Sequence, residues 1–84
     1  MGEREYMGQF TLRGLGYSLE GRGDCLIVER LTSPTTATAV CTITGRDRNH
    51  SWELLDVRAP MSEEFRRELI RAAVEHYRAW LVDH

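Results

Sequence analysis

Residues 62–83 read SEEFRRELIRAAVEHYRAWLVD, and this stretch decides the fold. At 100° per residue, Phe65, Leu69, Ile70, Ala73, Val74, Tyr77, Trp80 and Leu81 fall on one continuous arc, the signature of an amphipathic helix. Ser62 is placed to cap its first turn through the side-chain hydroxyl, and Glu63 and Glu64 put negative charge at the positive end of the helix dipole. Pro60 and Met61 lead the chain in. The apolar arc covers about half the circumference, wider than packing on a flat sheet requires. A strongly curved small sheet accounts for that width, and a dimer or partner surface is the alternative. The opposite side mixes Arg67, Arg71 and Arg78 with Glu64, Glu68 and Glu75, so it reads as a solvated face and not as a phosphate-binding stripe.

Everything before this helix alternates with the period of β-structure. Tyr6, Gly8, Phe10 and Leu12 share one side of a strand, and at Gly14-Leu15-Gly16 the parity shifts, as at a bulge or tight bend. Residues 20–24, EGRGD, have turn chemistry. CLIVERL from Cys25 is apolar on both faces at its start and reads as a central strand. After the Ser33-Pro34 loop, TATAVCTIT places Ala37, Ala39, Cys41 and Ile43 on one face and Thr36, Thr38, Val40, Thr42 and Thr44 on the other, an exposed surface or a docking one. GRDRN from Gly45 is a second hairpin tip, and SWELLDVR closes the sheet with Trp52 as a core anchor. The prediction is an α+β fold: a small antiparallel sheet of four to five strands in hairpin or meander order, with one C-terminal helix packed on one face. The strands lie near 6–13, 16–20, 25–31, 36–44 and 51–58, the helix near 62–82, in a single domain over 1–84. The helix is expected to bury Phe65, Leu69, Ile70, Ala73, Tyr77 and Trp80 against Phe10, Leu12, Ile27, Ile43 and Trp52.

Composition narrows the function classes. With 84 residues, 42% hydrophobic and 29% charged, and a net charge of -2, the chain is not basic enough to bind nucleic acid by charge alone. All 11 basic residues are arginine, which favours planar, bidentate contacts to carboxylates and phosphates. No window reaches the length of a membrane span and the N-terminus carries no signal-like apolar run, so a cytoplasmic location is expected. Cys25 and Cys41 lie in predicted strands without a C-x-x-C pair and read as free, buried thiols. No glycine-rich phosphate loop, internal repeat or low-complexity tract is present.

Catalysis needs a nucleophile, base or metal with positioned partners. His50 and His76 are the internal histidines, with no spacing that suggests a metal site or a triad. The expectation is therefore a non-enzyme with no cofactor and no metal. The leading functional reading is a small protein-binding domain that occupies a surface of another protein or complex. Phage and mobile-element inhibitors such as anti-CRISPR proteins act in this way, by analogy of size alone. Glu63, Glu64, Glu68, Glu75 and Asp56 are then contact candidates. Two alternatives stand beside it: a nucleic-acid-contacting accessory domain using Arg46, Arg48 and His50, with Arg22 at the other tip, and a homodimer built on the helix arc or the threonine strand.

Overall fold

The computed structural model describes residues 4–83. Five strands, β1 (Glu5–Leu12), β2 (Leu15–Arg22), β3 (Cys25–Ser33), β4 (Thr36–Thr44) and β5 (Glu53–Leu55), precede helix α1 (Glu63–Asp83). They form one antiparallel sheet in the order β1-β2-β3-β4-β5, each strand paired with its neighbour in sequence. The protein is thus a small α+β fold with a meander sheet and one C-terminal helix.

Each turn has a local cause. The closing pair Leu12↔Leu15 leaves Arg13 and Gly14 as the loop, both at positive φ (52° and 78°), the pattern of a type I′ turn whose twist matches that of the strands. The parity shift read from the sequence at this point is a full chain reversal and not a bend in continuous β geometry. Gly23-Asp24 joins β2 to β3, with positive φ at Gly23 alone. Between β3 and β4, Pro34-Thr35 is held by Ser33, whose Oγ accepts from the N–H groups of Thr35 and Thr36 at 3.2 and 3.1 Å.

Two irregularities decide which side chains face the helix. In β1, Tyr6 pairs with Glu20 but Gln9 with Ser18, so one extra residue bulges at Met7-Gly8. Gly8 takes φ 89° there, a conformation that side-chain-bearing residues seldom adopt. The bulge buries Met7 (2% exposed) and directs its carbonyl to the helix, where His76 Nε2 donates at 2.6 Å. In β4, Val28 pairs with Cys41 but Glu29 with Ala39, leaving Val40 as the extra residue. Val40 and Cys41 are consequently both buried, while Ala37 and Ala39 are exposed. The alternation assigned from the sequence therefore breaks in mid-strand, and Ala37 and Ala39 do not share the core face of Cys41 and Ile43.

The helix-facing side of the sheet carries Tyr17, Leu19, Leu26, Val28, Cys41 and Ile43, closed by Leu69, Ala73 and Tyr77 of α1. Leu19, Leu26, Val28, Ile43 and Leu69 are the largest completely buried side chains, so truncating Leu69 to alanine should cost about 2–5 kcal/mol in a urea titration. Ile27 is a correction: Glu20↔Ile27↔Thr42 places it on the face away from the helix, and its neighbours Leu26 and Val28 take the core. Phe65, Ile70 and Trp80 pack against the core only partly buried, while Val74 is buried in addition. The backbone of α1 runs closest to the outer strands β1 and β5, so the curl of the sheet takes up much of the wide apolar arc. Val82 (84% exposed) and Leu81 leave it at the helix end.

The N-cap is as the sequence predicts, with Phe65 N–H donating to Ser62 Oγ at 3.1 Å. β5 is only three residues long, because Asp56 turns to φ 49°. That turn brings Val57 onto the core beside Trp52 and Leu54, where strict alternation would have placed it with Leu55 on the other face. Trp52 meets Tyr77 edge-on at 5.7 Å between ring centroids. Its Nε1 is buried without an acceptor among the described residues.

Candidate partner-binding surfaces

The loop 45–51 is built from the inside outward. Arg46 N–H donates to the Asp24 carbonyl at 3.2 Å and Asp47 N–H to Asp24 Oδ1 at 2.7 Å, which ties this loop to the β2–β3 turn. The Arg46 side chain then folds back across the sheet end. It pairs with Glu5, reaches the Gly23 carbonyl at 3.4 Å and lies over the Tyr77 ring at 5.7 Å. Gly21 makes room for it, since a Cβ there would sit 2.5 Å from Arg46 Nη1. Arg78 grips the other side of the loop, with Nε donating to Asn49 Oδ1 at 3.0 Å and Nη2 to the Asn49 carbonyl at 3.1 Å. Arg46 is therefore a clamp holding loop, sheet and helix together, where the sequence offered it as an exposed contact. Arg48 and His50 are exposed, and His50 Nδ1 shares a hydrogen bond with Ser51 Oγ at 2.8 Å.

The acidic candidates divide between two sides of the molecule. Glu63 stands 3.8 Å from Arg67. Glu68 receives both Nε and Nη2 of Arg13, whose guanidinium also lies 4.0 Å from Glu64 and 5.3 Å from the centre of the Phe65 ring. The hydrogen bonds from Arg13 hold the Glu68 carboxyl below the usual carboxylate range against the opposing effect of burial. Glu75 is exposed on the same helix. Asp56 lies on the other side of the sheet, paired with Arg58 at 2.9 Å. Helix glutamates and Asp56 thus do not form one acidic surface.

The side of the sheet away from α1 has a relief of its own. A concavity of about 300 Å³ opens over Ile27 and Ala39, walled by Arg4, Arg22, Arg58 and Asp56. Arg4 also bonds Glu20 at 3.3 Å. On this face Tyr6 (58% exposed) and Leu55 (47%) stand in solvent, placed there by the pairs Tyr6↔Glu20 and Thr42↔Leu55. Sequence reasoning missed this assembly. Counting pairs outward from the Leu12↔Leu15 turn puts Tyr6 opposite Gly21 on the core face, and only the Met7-Gly8 bulge moves it to this side. A second concavity of about 260 Å³ lies on the helix side between Val40, Met61, Phe65 and Leu15, with Arg30 at its edge.

Cys25 and Cys41 are both free. Burial pushes the Cys41 thiol up to about 12. Among the described residues no group of three or more His, Cys, Asp and Glu side chains converges to hold a metal ion. No helix of the described residues is long and apolar enough to cross a membrane. Comparison of the chain with family models, with curated proteins and with solved structures gave no match.

Proposed function

We propose that the chain is a small non-catalytic protein-binding domain that works by occupying a surface of another protein. One observation carries this reading: a five-stranded sheet is covered by a helix on one side only. Its other side offers Tyr6, Leu55 and Ile27 among arginines and carboxylates around a concavity. Aromatic and aliphatic side chains set in a rim of arginines are the composition of protein contact surfaces, where buried anchors supply affinity and charges supply orientation. The helix exterior is a weaker candidate, because its carboxylates at positions 63, 64 and 68 already lie within 4.0 Å of arginines of the same chain.

The sharper form of the reading is an inhibitor, of the kind that phages and mobile elements direct at host complexes. Small size and the lack of an evident reacting group support it, by analogy only. The experiment is affinity capture from a bacterial lysate, with and without nuclease, using three baits: the wild type, a Tyr6→Ala/Leu55→Asp variant, and a variant with Glu63, Glu64, Glu68 and Glu75 changed to glutamine. A protein partner retained by the wild type and the glutamine variant, and lost by the Tyr6/Leu55 variant, is the expected result. Loss with the glutamine variant instead would move the site to the helix. A partner released by nuclease would replace this reading with nucleic-acid contact through Arg48 and His50.

A further inference from the structure

The side of β4 that faces away from β3 is covered only in part. β5 pairs with Thr42, Ile43 and Thr44, and the Val40 carbonyl accepts from Arg58 N–H at 2.8 Å. Among the described residues, nothing pairs with residues 36–39 on that side, and all four are exposed. Their outward N–H and C=O groups form an open strand edge. Natural proteins guard such edges with charge, proline or a covering element, because an open edge templates pairing with another strand. Here the guard is missing where it is most needed. Residues 31–45 contain no charged side chain, in a chain that is 29% charged. The edge itself reads Thr-Ala-Thr-Ala, of which the threonines favour extended structure, and the one proline of the hairpin, Pro34, lies in its turn.

We infer that residues 36–39 pair with the same segment of a second copy, joining two sheets edge to edge through antiparallel β4 strands. This goes beyond the contact surface proposed above and uses the strand edge beside it, with Ala39 common to both. The occupant follows from the chemistry of the edge. The segment itself carries no charge, the Arg58–Asp56 pair standing at its covered end beside Val40 and Ala39, and Thr and Ala side chains place no bulk against their symmetry mates. The outer strands do not offer a matching run: β1 is neutral from Tyr6 to Leu12 but is interrupted by the Met7-Gly8 bulge, with the Met7 carbonyl taken by His76, and β5 is three residues long and begins with Glu53. The segment that matches is its own copy. Antiparallel pairing of identical strands is isologous, with the two-fold axis perpendicular to the sheet. Residues that face each other must then share a face, so Ala37 stands opposite the second copy's Ala37 or Ala39.

That geometry sets the test. Ala37 is exposed and pairs with Leu31 on β3, so a charge there leaves the fold intact while bringing two like charges within roughly 5–8 Å across the two-fold. Sedimentation equilibrium from about 1 µM to about 1 mM should give the wild type twice the 9.7 kDa mass of one chain. Ala37→Lys and Ala37→Glu should each sediment as single chains with unchanged far-UV circular dichroism, and an equimolar mixture of the two should return to the dimer mass. A wild type that stays monomeric throughout would overturn the inference, as would charged variants that stay dimeric or a mixture that fails to recombine.

Discussion

The open edges of the sheet, on β1 and on the part of β4 that β5 leaves uncovered, treat the same problem in opposite ways. At β1 the edge carries Glu5, is broken by the Met7-Gly8 bulge, and gives up a backbone carbonyl to the helix through His76. At β4 a bulge is present too, at Val40, but it serves the core: it turns Val40 and Cys41 inward and leaves residues 36–39 neutral and open. A bulge is therefore no protection by itself. Protection comes from what the bulge presents, a carbonyl captured by another element in one case and an inward pair of side chains in the other. Since one chain contains both solutions, the open edge is a property of that segment and not of the fold.

The largest effect that would sharpen this contrast is in thiol reactivity. Cys41 lies one residue inside the Val40 bulge, where paired strand gives way to open edge, and is 3% exposed, whereas Cys25 is partly exposed. If the neutral segment is ordered as strongly as the guarded one, a disulfide reagent at about pH 8 should modify Cys25 readily. Cys41 should react orders of magnitude more slowly, at the rate of unfolding. Equal rates would show that β4 frays from its open end. The same burial has a signed consequence for stability. Folding raises the pKa of Cys41 to about 12, so it favours the protonated thiol. That contribution is complete below the unfolded value and is lost as pH rises from about 9 toward 12. Cys41→Ala should flatten the alkaline limb of a stability profile.

Next in size is the β1 guard itself. Gly8→Val forces a β-branched residue to φ 89°, a strain of about 1–3 kcal/mol. It also places a Cβ 3.3 Å from His76 Nε2, so the ring must shift by a few tenths of an ångström against its bond to the Met7 carbonyl. His76→Ala removes that bond together with the ring contact on Phe10, without the backbone strain, and should cost about 1–2 kcal/mol. Urea midpoints measure both, and the order matters: His76→Ala as costly as Gly8→Val would mean that the bulge is held entirely by the helix. If either variant also gained a concentration-dependent mass, the guarded edge would have become a sticky one.

How far the sequence carries depends on the range of the cause. The helix and its cap at Ser62 are written in residues a few positions apart and fold as read, and the turns read at 20–24 and 32–35 form there but shrink to Gly23-Asp24 and Pro34-Thr35 because the strands run on. The Arg13-Gly14 reversal is half legible: the parity shift marks a break at Gly14, but a bulge or bend there gives the same shift, and arginine is an unusual occupant of a positive-φ turn position. The bulge at Val40 and the turn at Asp56 leave no local mark, and each moves the side chains beyond it to the other face. Ala37 and Ala39 therefore left the core side, and Val57 joined it. Arg46 was illegible for a different reason. Its partners, Glu5, Gly23 and Tyr77, are distant in sequence, and the space it fills exists because position 21 has no side chain. The open face with Tyr6, Ile27 and Leu55 emerges only once all four registers are fixed.

The smallest predicted effect concerns Arg13, the charged residue at the far end of the β1 edge. Two demands compete there. The turn wants a residue that accepts φ 52°, and Asn-Gly is the favoured pair for a type I′ loop, so Arg13→Asn should help the reversal. The helix wants the guanidinium, which bonds Glu68 through two nitrogens and covers the Phe65 ring, and the substitution removes both contacts. Exposed ion pairs are weak and screened by salt, so the urea midpoint should barely move at low ionic strength. It should rise above that of the wild type as salt is added, because salt erodes only what the arginine contributes. A midpoint that falls clearly, and stays low in salt, would show that the stacking on Phe65 outweighs the turn, and that this end of β1 is held by apolar contact more than by charge.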